Sequence, residues 1–246
     1  MKNPSNIPEG AAKILWERPE PKGPLTPISR DVITRAATAI ADRDGLESVS
    51  LRKVAISLDS STMRLYSYIS TKAELLELMT DAAFGEMLTA GPPQGDWQEI
   101  LRSLAYRLRE AAGKHPWLVE LLGGRPHLGP NGIAFIEIFY ASLSGARGFE
   151  KIDTIMQTVG TVVAYVVGAL RNETNRLQTL QEFGMDQTAW EQAWWPYLER
   201  LLASGRFPMM ERVVKEANHP SAGAEFERGL DCVLAGISLV LLQGQQ

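Results

Sequence analysis

The sequence predicts an all-α fold, three short helices near the N-terminus followed by a larger helical body, and three observations predict it. Apolar residues recur at a spacing of three and four along most of the chain, which is the period of a helix with one buried face. Capping residues stand at the head of these runs and glycines close several of them. No segment alternates apolar and polar residues for long enough to read as a strand.

Taken in order, residues 1–28 are rich in proline and read as an extended arm, with Ile14, Leu15 and Trp16 as the side chains able to pin it down. Ser29 caps a first helix through Asp44, with Val32, Ile33, Ala36, Ala37 and Ile40 on one face and Gly45 just past its end. A second, short helix starts at Ser50 with Leu51, Val54, Ala55 and Leu58 inward, and a third spans about 60–68. Thr71 and Glu74 form a capping-box pattern that opens a long fourth helix bearing Leu75, Leu78, Met79 and Met87. Residues 91–95 break this helix, and further helices follow at 96–114, 131–146, 150–178, 187–204, 208–217 and 222–243; the chain reads as a head over 29–79 and a body over 80–246.

Composition sets the bounds. With 45% hydrophobic and 22% charged residues, the chain of 246 has ample material for a core. The longest uncharged stretch, Thr154 to Leu170, holds 17 residues with Gln157 and three threonines, short of the ~20 apolar residues of a membrane span, so it reads as a buried helix. The polar arm offers no apolar signal sequence, and the single Cys232, placed in an apolar run and read as a small core residue, excludes an internal disulfide. A cytoplasmic location and no membrane partner are expected. The net charge of −4 is unevenly spread: residues 1–80 carry 11 basic and 10 acidic side chains, and 48–72 carry four basic against Asp59 alone. An acidic body with a locally basic N-terminal segment fits a small nucleic-acid-reading head.

Residues 29–79 carry the functional signal. Helices of about 16, 9 and 8 residues, the last two joined by a tight turn at Leu58 and Asp59, have helix-turn-helix proportions. The second helix of such a pair is short and exposed, so its side chains enter a major groove while the preceding helix braces it. Within it, Ser50, Arg52, Ala55, Leu65, Tyr66, Tyr68, Lys72, Leu75 and Leu76 stand in an order that resembles the TetR/AcrR signature. That resemblance implies a homodimeric transcriptional regulator, by default a repressor, that binds double-stranded operator DNA and responds to a small-molecule effector.

Carried across position by position, the resemblance implies that Arg52 reaches a guanine edge or a phosphate. Ser61, Thr62, Met63, Arg64 and Ser67 belong to the groove-facing helix, and Tyr66, Tyr68 and Lys72 bond phosphates. Leu65 is core. The chain departs from the family at Asp59, where glycine is usual; the turn needs a left-handed backbone that Asp tolerates at some cost, and its charge opposes DNA.

In the body, Trp97 and Gln98, the turn from Gly123 to Pro126, Gly148 with Phe149, and Val159 with Gly160 resemble the tetracycline-repressor subgroup. The position of that subgroup's metal-chelate histidine is Leu121 here, and a polar contact of its fifth helix is Leu104, which argues against a magnesium–drug chelate. His115, His127 and His219 lack ligand partners at helical spacing, so no metal or other cofactor is expected. The expected effector is largely apolar or aromatic, held among Leu104, Leu108, Trp117, Leu121, Phe135, Phe139 and Tyr165. Tyr140, Trp190, Trp194 and Trp195 are further aromatic candidates. Gly160, Ala164 and Gly168 form a small-residue stripe that lets a second helix approach, and with Phe226, Leu230, Val233 and Ile237 they make the expected dimer interface.

Two other readings compete. No Ser/His/Asp or Cys/His set and no phosphate loop with supporting context is present, so no enzymatic activity is expected. A binding module that has lost DNA affinity stays open through Asp59.

Overall fold

The computed structural model describes residues 15–21, 28–123, 127–218 and 220–243. Ile14, His219, residues 124–126 of the glycine-rich turn and most of the arm lie outside them. The fold is all-α, and among the described residues there is no strand. The chain divides into two compact units, one up to Gly145 and one from Ala146.

The first unit begins with the arm fragment, where Leu15–Glu17 make one 3₁₀ turn and Leu15 is buried. Helix α1 (Arg30–Asp44) starts at Ser29, whose hydroxyl accepts the Val32 N–H at 3.2 Å, and stops at Gly45 with φ +82°. Ser50 heads α2 (Leu51–Ser57), Ser61 heads α3 (Thr62–Tyr66) and Thr71 heads α4 (Lys72–Leu88), each accepting the N–H three residues on. These local bonds satisfy main-chain donors that a helix start leaves open. They also explain why α2 and α3 are shorter than their apolar patterns suggest: Ser60 and Ser61 lie in the turn and the cap, not in the helix. Ile33 and Ala37 of α1, Val54 of α2, Leu65 of α3 and Leu75 and Met79 of α4 close one core with no exposure.

Helix α4 does not stop at the edge of this bundle. It runs unbroken through residue 80 and packs on both α1 and α7 (Pro130–Ser144). Between them come α5 (Trp97–Lys114), opened by a full capping box of Asp96 and Glu99, and the single turn α6 (Leu118–Leu121). α7 has no capping side chain of its own. Asp81 of α4 supplies it, accepting the Gly132 N–H at 2.9 Å and the Asn131 side-chain N–H at 3.0 Å. The chain passes so close at Gly129 that a side chain there would meet the Asp81 carboxyl and the Trp16 ring.

A second polar joint ties α1 to the helices behind it. His115, 3% exposed, places Nδ1 2.7 Å from an Asp42 oxygen and Nε2 3.2 Å from Glu86. The Trp117 indole N–H donates to the same Asp42 oxygen at 2.6 Å, and Lys114 pairs with Glu86.

The second unit holds α8 (Ile152–Glu182), α9 (Gln187–Ala203), α10 (Pro208–Glu216) and α11 (Ala222–Gln243). α8 packs on α11, burying Val159, Val162, Val166, Phe226, Leu230 and Leu234. α8 is long and apolar enough, by length and composition alone, to cross a membrane. The uncharged stretch read as a buried helix is buried on one face only: Met156, Gly160, Ala164 and Gly168 are exposed on the other. Cys232 is likewise exposed and not core, because α11 turns Leu230 and Leu234 inward and the intervening position outward.

Candidate nucleic-acid interface and ligand cavities

The α3 helix is held by one residue and shows the rest. Leu65 is fully buried, while Met63 is 79% and Tyr66 49% exposed and Ser61 and Ser67 face solvent. Thr62 and Arg64 are half-buried. Arg52 at the head of α2 and Lys72 at the head of α4 are both exposed, flanking α3 in sequence on either side. A capped, five-residue helix with one anchor and outward polar side chains can offer donors to base edges, with the flanking cations on phosphates.

Asp59 adopts φ +47°, the left-handed backbone that the missing glycine would supply. A non-glycine residue there costs roughly 1–2 kcal/mol, part of which glycine would return as chain entropy. Asp59→Gly is therefore expected to stabilise the chain by about 0.5–1 kcal/mol in thermal melts. It should also tighten binding to non-specific duplex, since one exposed negative charge is removed. A lower melting temperature would show that the Asp59 side chain contributes more than its backbone strain costs.

Tyr68 does not sit as expected. Its ring is 3% exposed, so its hydroxyl is not presented to a phosphate. Its carbonyl matters instead, accepting from Arg18 and from Arg30 Nε, each at 3.2 Å. Arg18 also pairs with Glu74 and donates to Ser70 Oγ at 2.9 Å, so the arm clasps the corner between α3 and α4. Burial works against an ionised Glu74, yet bonds from Arg18 and the Ser70 N–H hold its carboxyl below the usual range. Nothing in the sequence pattern signals this clasp: an arginine at the head of a proline-rich stretch has no periodicity to betray it.

Most expected effector residues are closed core. Leu104, Leu108, Trp117, Phe135 and Phe139 are each no more than 2% exposed, and the Phe135 and Phe139 rings pack edge-on at 5.1 Å. Leu121 is half-buried and lines a cavity of 610 Å³ together with Trp16, Leu76, Asp81 and His127. Tyr165 belongs to the second unit, where its hydroxyl donates to the Phe226 carbonyl at 2.6 Å beside a depression of 550 Å³. Of the other aromatic candidates, Trp194 and Trp195 are about half exposed.

The expected dimer residues divide. Gly160, Ala164 and Gly168 are exposed, and Val233 and Ile237 are half-buried. Phe226 and Leu230 are taken up by α8 of their own chain, which withdraws them from an interface. No cluster of three or more metal-ligating side chains occurs among the described residues.

Comparison with known proteins places this geometry. Residues 89–241 match the profile of the tetracyclin repressor-like C-terminal domain. The HTH-type transcriptional repressor DrrR1 of Streptomyces coeruleorubidus is 31% identical over 94% of this chain and 86% of its own. An HTH-type transcriptional regulator of Saccharopolyspora erythraea is 34% identical over 70% of this chain and 73% of its own. In fold, the chain is similar to ActR of Streptomyces coelicolor without ligand, with a TM-score of 0.74 at 23% identity over 89% of this chain and 99% of that one. ActR in complex with actinorhodin gives a TM-score of 0.73 at 24% identity over 88% and 99%. A helix-turn-helix head joined to a body of this kind, matched along nearly the whole chain, means that the protein belongs to the TetR family of transcriptional regulators.

Proposed function

We propose that this chain is a homodimeric repressor that reads a two-fold operator with α3 and leaves it when a small, largely apolar or aromatic effector binds the body. The observation that carries the reading is α3 itself: one buried anchor, Leu65, with Met63, Tyr66 and Ser67 turned outward between the cations Arg52 and Lys72. Residues 29–79 serve as the reading head, 80–246 as the effector-binding and dimerisation part, and 1–28 as an arm, in a cytoplasmic protein without enzymatic activity. The ligand-bound state of ActR supports the effector half of the proposal.

Release follows from two states. In the binding state the paired α3 helices stand one DNA turn apart, ~34–36 Å, and effector favours a state in which they do not. The shift cannot exceed the effector's differential affinity for the two states, typically ~1–3 kcal/mol of coupling. α4 is the natural lever, because one rigid helix carries Lys72 at its head and Asp81, the cap of α7, two and a half turns on.

Selection of bound sequences from a random duplex pool at two salt concentrations tests this. A palindromic site should be enriched, with affinity falling steeply as salt rises. An enriched site without two-fold symmetry would remove the dimeric reading, and no enrichment would remove the DNA-reading one.

A further inference from the structure

The cavity of 610 Å³ under the arm has an unusual polar complement. Its floor is one face of α4, where Ala73, Leu76, Glu77, Thr80 and Asp81 follow at helical spacing. Its roof is Leu15 and Trp16, and its far wall is Leu121 with the 127–129 segment. The walls are mainly apolar, with an indole face. The polar atoms are almost all acceptors. Glu77 and Asp81 are carboxylates, and the Thr80 hydroxyl donates its proton to the Leu76 carbonyl at 2.9 Å. The His127 ring bonds the Leu121 main chain, while its Nε2 is buried without a partner. With the ring proton committed to the Leu121 carbonyl, Nε2 is an acceptor too. Apart from the Trp16 indole N–H, no lining side chain among the described residues donates into this space, and none is basic other than His127.

Burial acts on both titratable groups at the back of the cavity. Burial raises the Asp81 carboxyl despite its bonds from Gly132 and Asn131, and burial lowers the His127 imidazole despite the Leu121 bond and the nearby carboxylates. Among the described residues no cationic side chain pairs with Glu77 or Asp81, and the Trp16 indole lies on the same cavity. We propose that the cavity under the arm binds an aromatic ammonium compound, its ring against Trp16 and Leu121 and its charged amine beside Glu77 and Asp81. This rests on the effector-responsive reading and narrows it, giving the effector a positive charge and a place outside the closed α5–α7 core. The occupant touches α4, the start of α7 and the arm, whose Arg18 clasps the α3–α4 corner. It therefore bears directly on the presentation of α3.

The test uses the full chain and a matched pair of probes, 1-naphthylmethylamine, which is cationic at neutral pH, and the neutral 1-naphthylmethanol. Calorimetry should give one amine per chain, with the alcohol about ten-fold weaker. Glu77→Gln and Trp16→Ala should each weaken the amine about five-fold or more. Glu77→Gln should leave the melting temperature nearly unchanged, since Glu77 is exposed, whereas Trp16→Ala removes part of the roof and should lower it modestly, so binding is read well below both transitions. Equal binding of amine and alcohol, no binding of the amine, or indifference to both substitutions overturns the site and leaves the regulator reading to its own operator data. Anisotropy on the selected operator separates the two: amine that binds as described yet leaves operator affinity unchanged overturns its role as effector.

Discussion

Replacing Arg52 and Lys72 together by alanine is expected to weaken operator binding by about a hundred-fold or more while leaving the fold intact. In the proposed dimer each substitution occurs twice, so the double variant removes four charged side chains from the DNA face. A hydrogen bond to a charged group contributes roughly 1.5–3 kcal/mol where it is well formed and less where solvent competes, so a total loss of about 3 kcal/mol is a cautious figure. The dependence of affinity on salt should flatten as well, by roughly 0.9 in the logarithmic slope for each phosphate no longer neutralised. Stability should move by no more than about 0.5 kcal/mol, because both side chains are exposed and neither makes a hydrogen bond or ion pair among the described residues. Lys151→Ala, which removes an exposed positive charge from the second unit, is the control for net charge. Operator affinity within a factor of two of the parent in the double variant would displace α2 and α4 from the DNA contact.

What the sequence revealed and what it hid divide along a physical line. Helix starts were legible because a cap is local: Ser29, Ser50 and Thr71 each bond an N–H three residues on, so a short window of sequence contains the whole interaction. The strained turn at Asp59 was legible for the same reason. The orientation of Tyr68 was not, since an aromatic at the end of a short helix can turn its ring outward or inward, and only the packed bundle decides. The effector residues show a different limit. Periodicity marks Leu104, Leu108, Phe135 and Phe139 as inward, but a cavity is a place where packing is incomplete, and an inward pattern reads the same in both cases. Long-range polar pairing was the least legible. Asp42 finds its partners 73 and 75 residues away, and Asp81 finds Gly132 51 residues away, so nothing near either residue announces the bond. Asp81 alone left a faint sign, as an acid on a helix face that is otherwise packed.

Gly160→Leu combined with Gly168→Leu is expected to yield a monomer and to reduce operator affinity by about a thousand-fold. The argument begins with what the glycines lack. A side-chain carbon built at either position meets nothing within 4 Å, so no neighbour in its own chain requires a glycine there. Both lie inside the uninterrupted helix α8, where glycine costs about 0.8–1 kcal/mol relative to alanine. Two such costs on one exposed stripe, with Ala164 between them and the exposed Met156 a turn before, make sense if another backbone must come close. In the proposed dimer that backbone belongs to a second copy, and leucine at both positions would hold the two helices apart. A monomer keeps one reading head and loses the gain from engaging two half-sites at once, which is worth roughly 10²–10⁴ in affinity. The sign of the stability change separates this from a packing defect. If the stripe serves only a partner, the isolated variant chain should melt no lower than the parent monomer, since leucine is the better helix former in open space. Light scattering that still finds a dimer at micromolar concentration, with operator affinity unchanged, would move the interface off this face of α8.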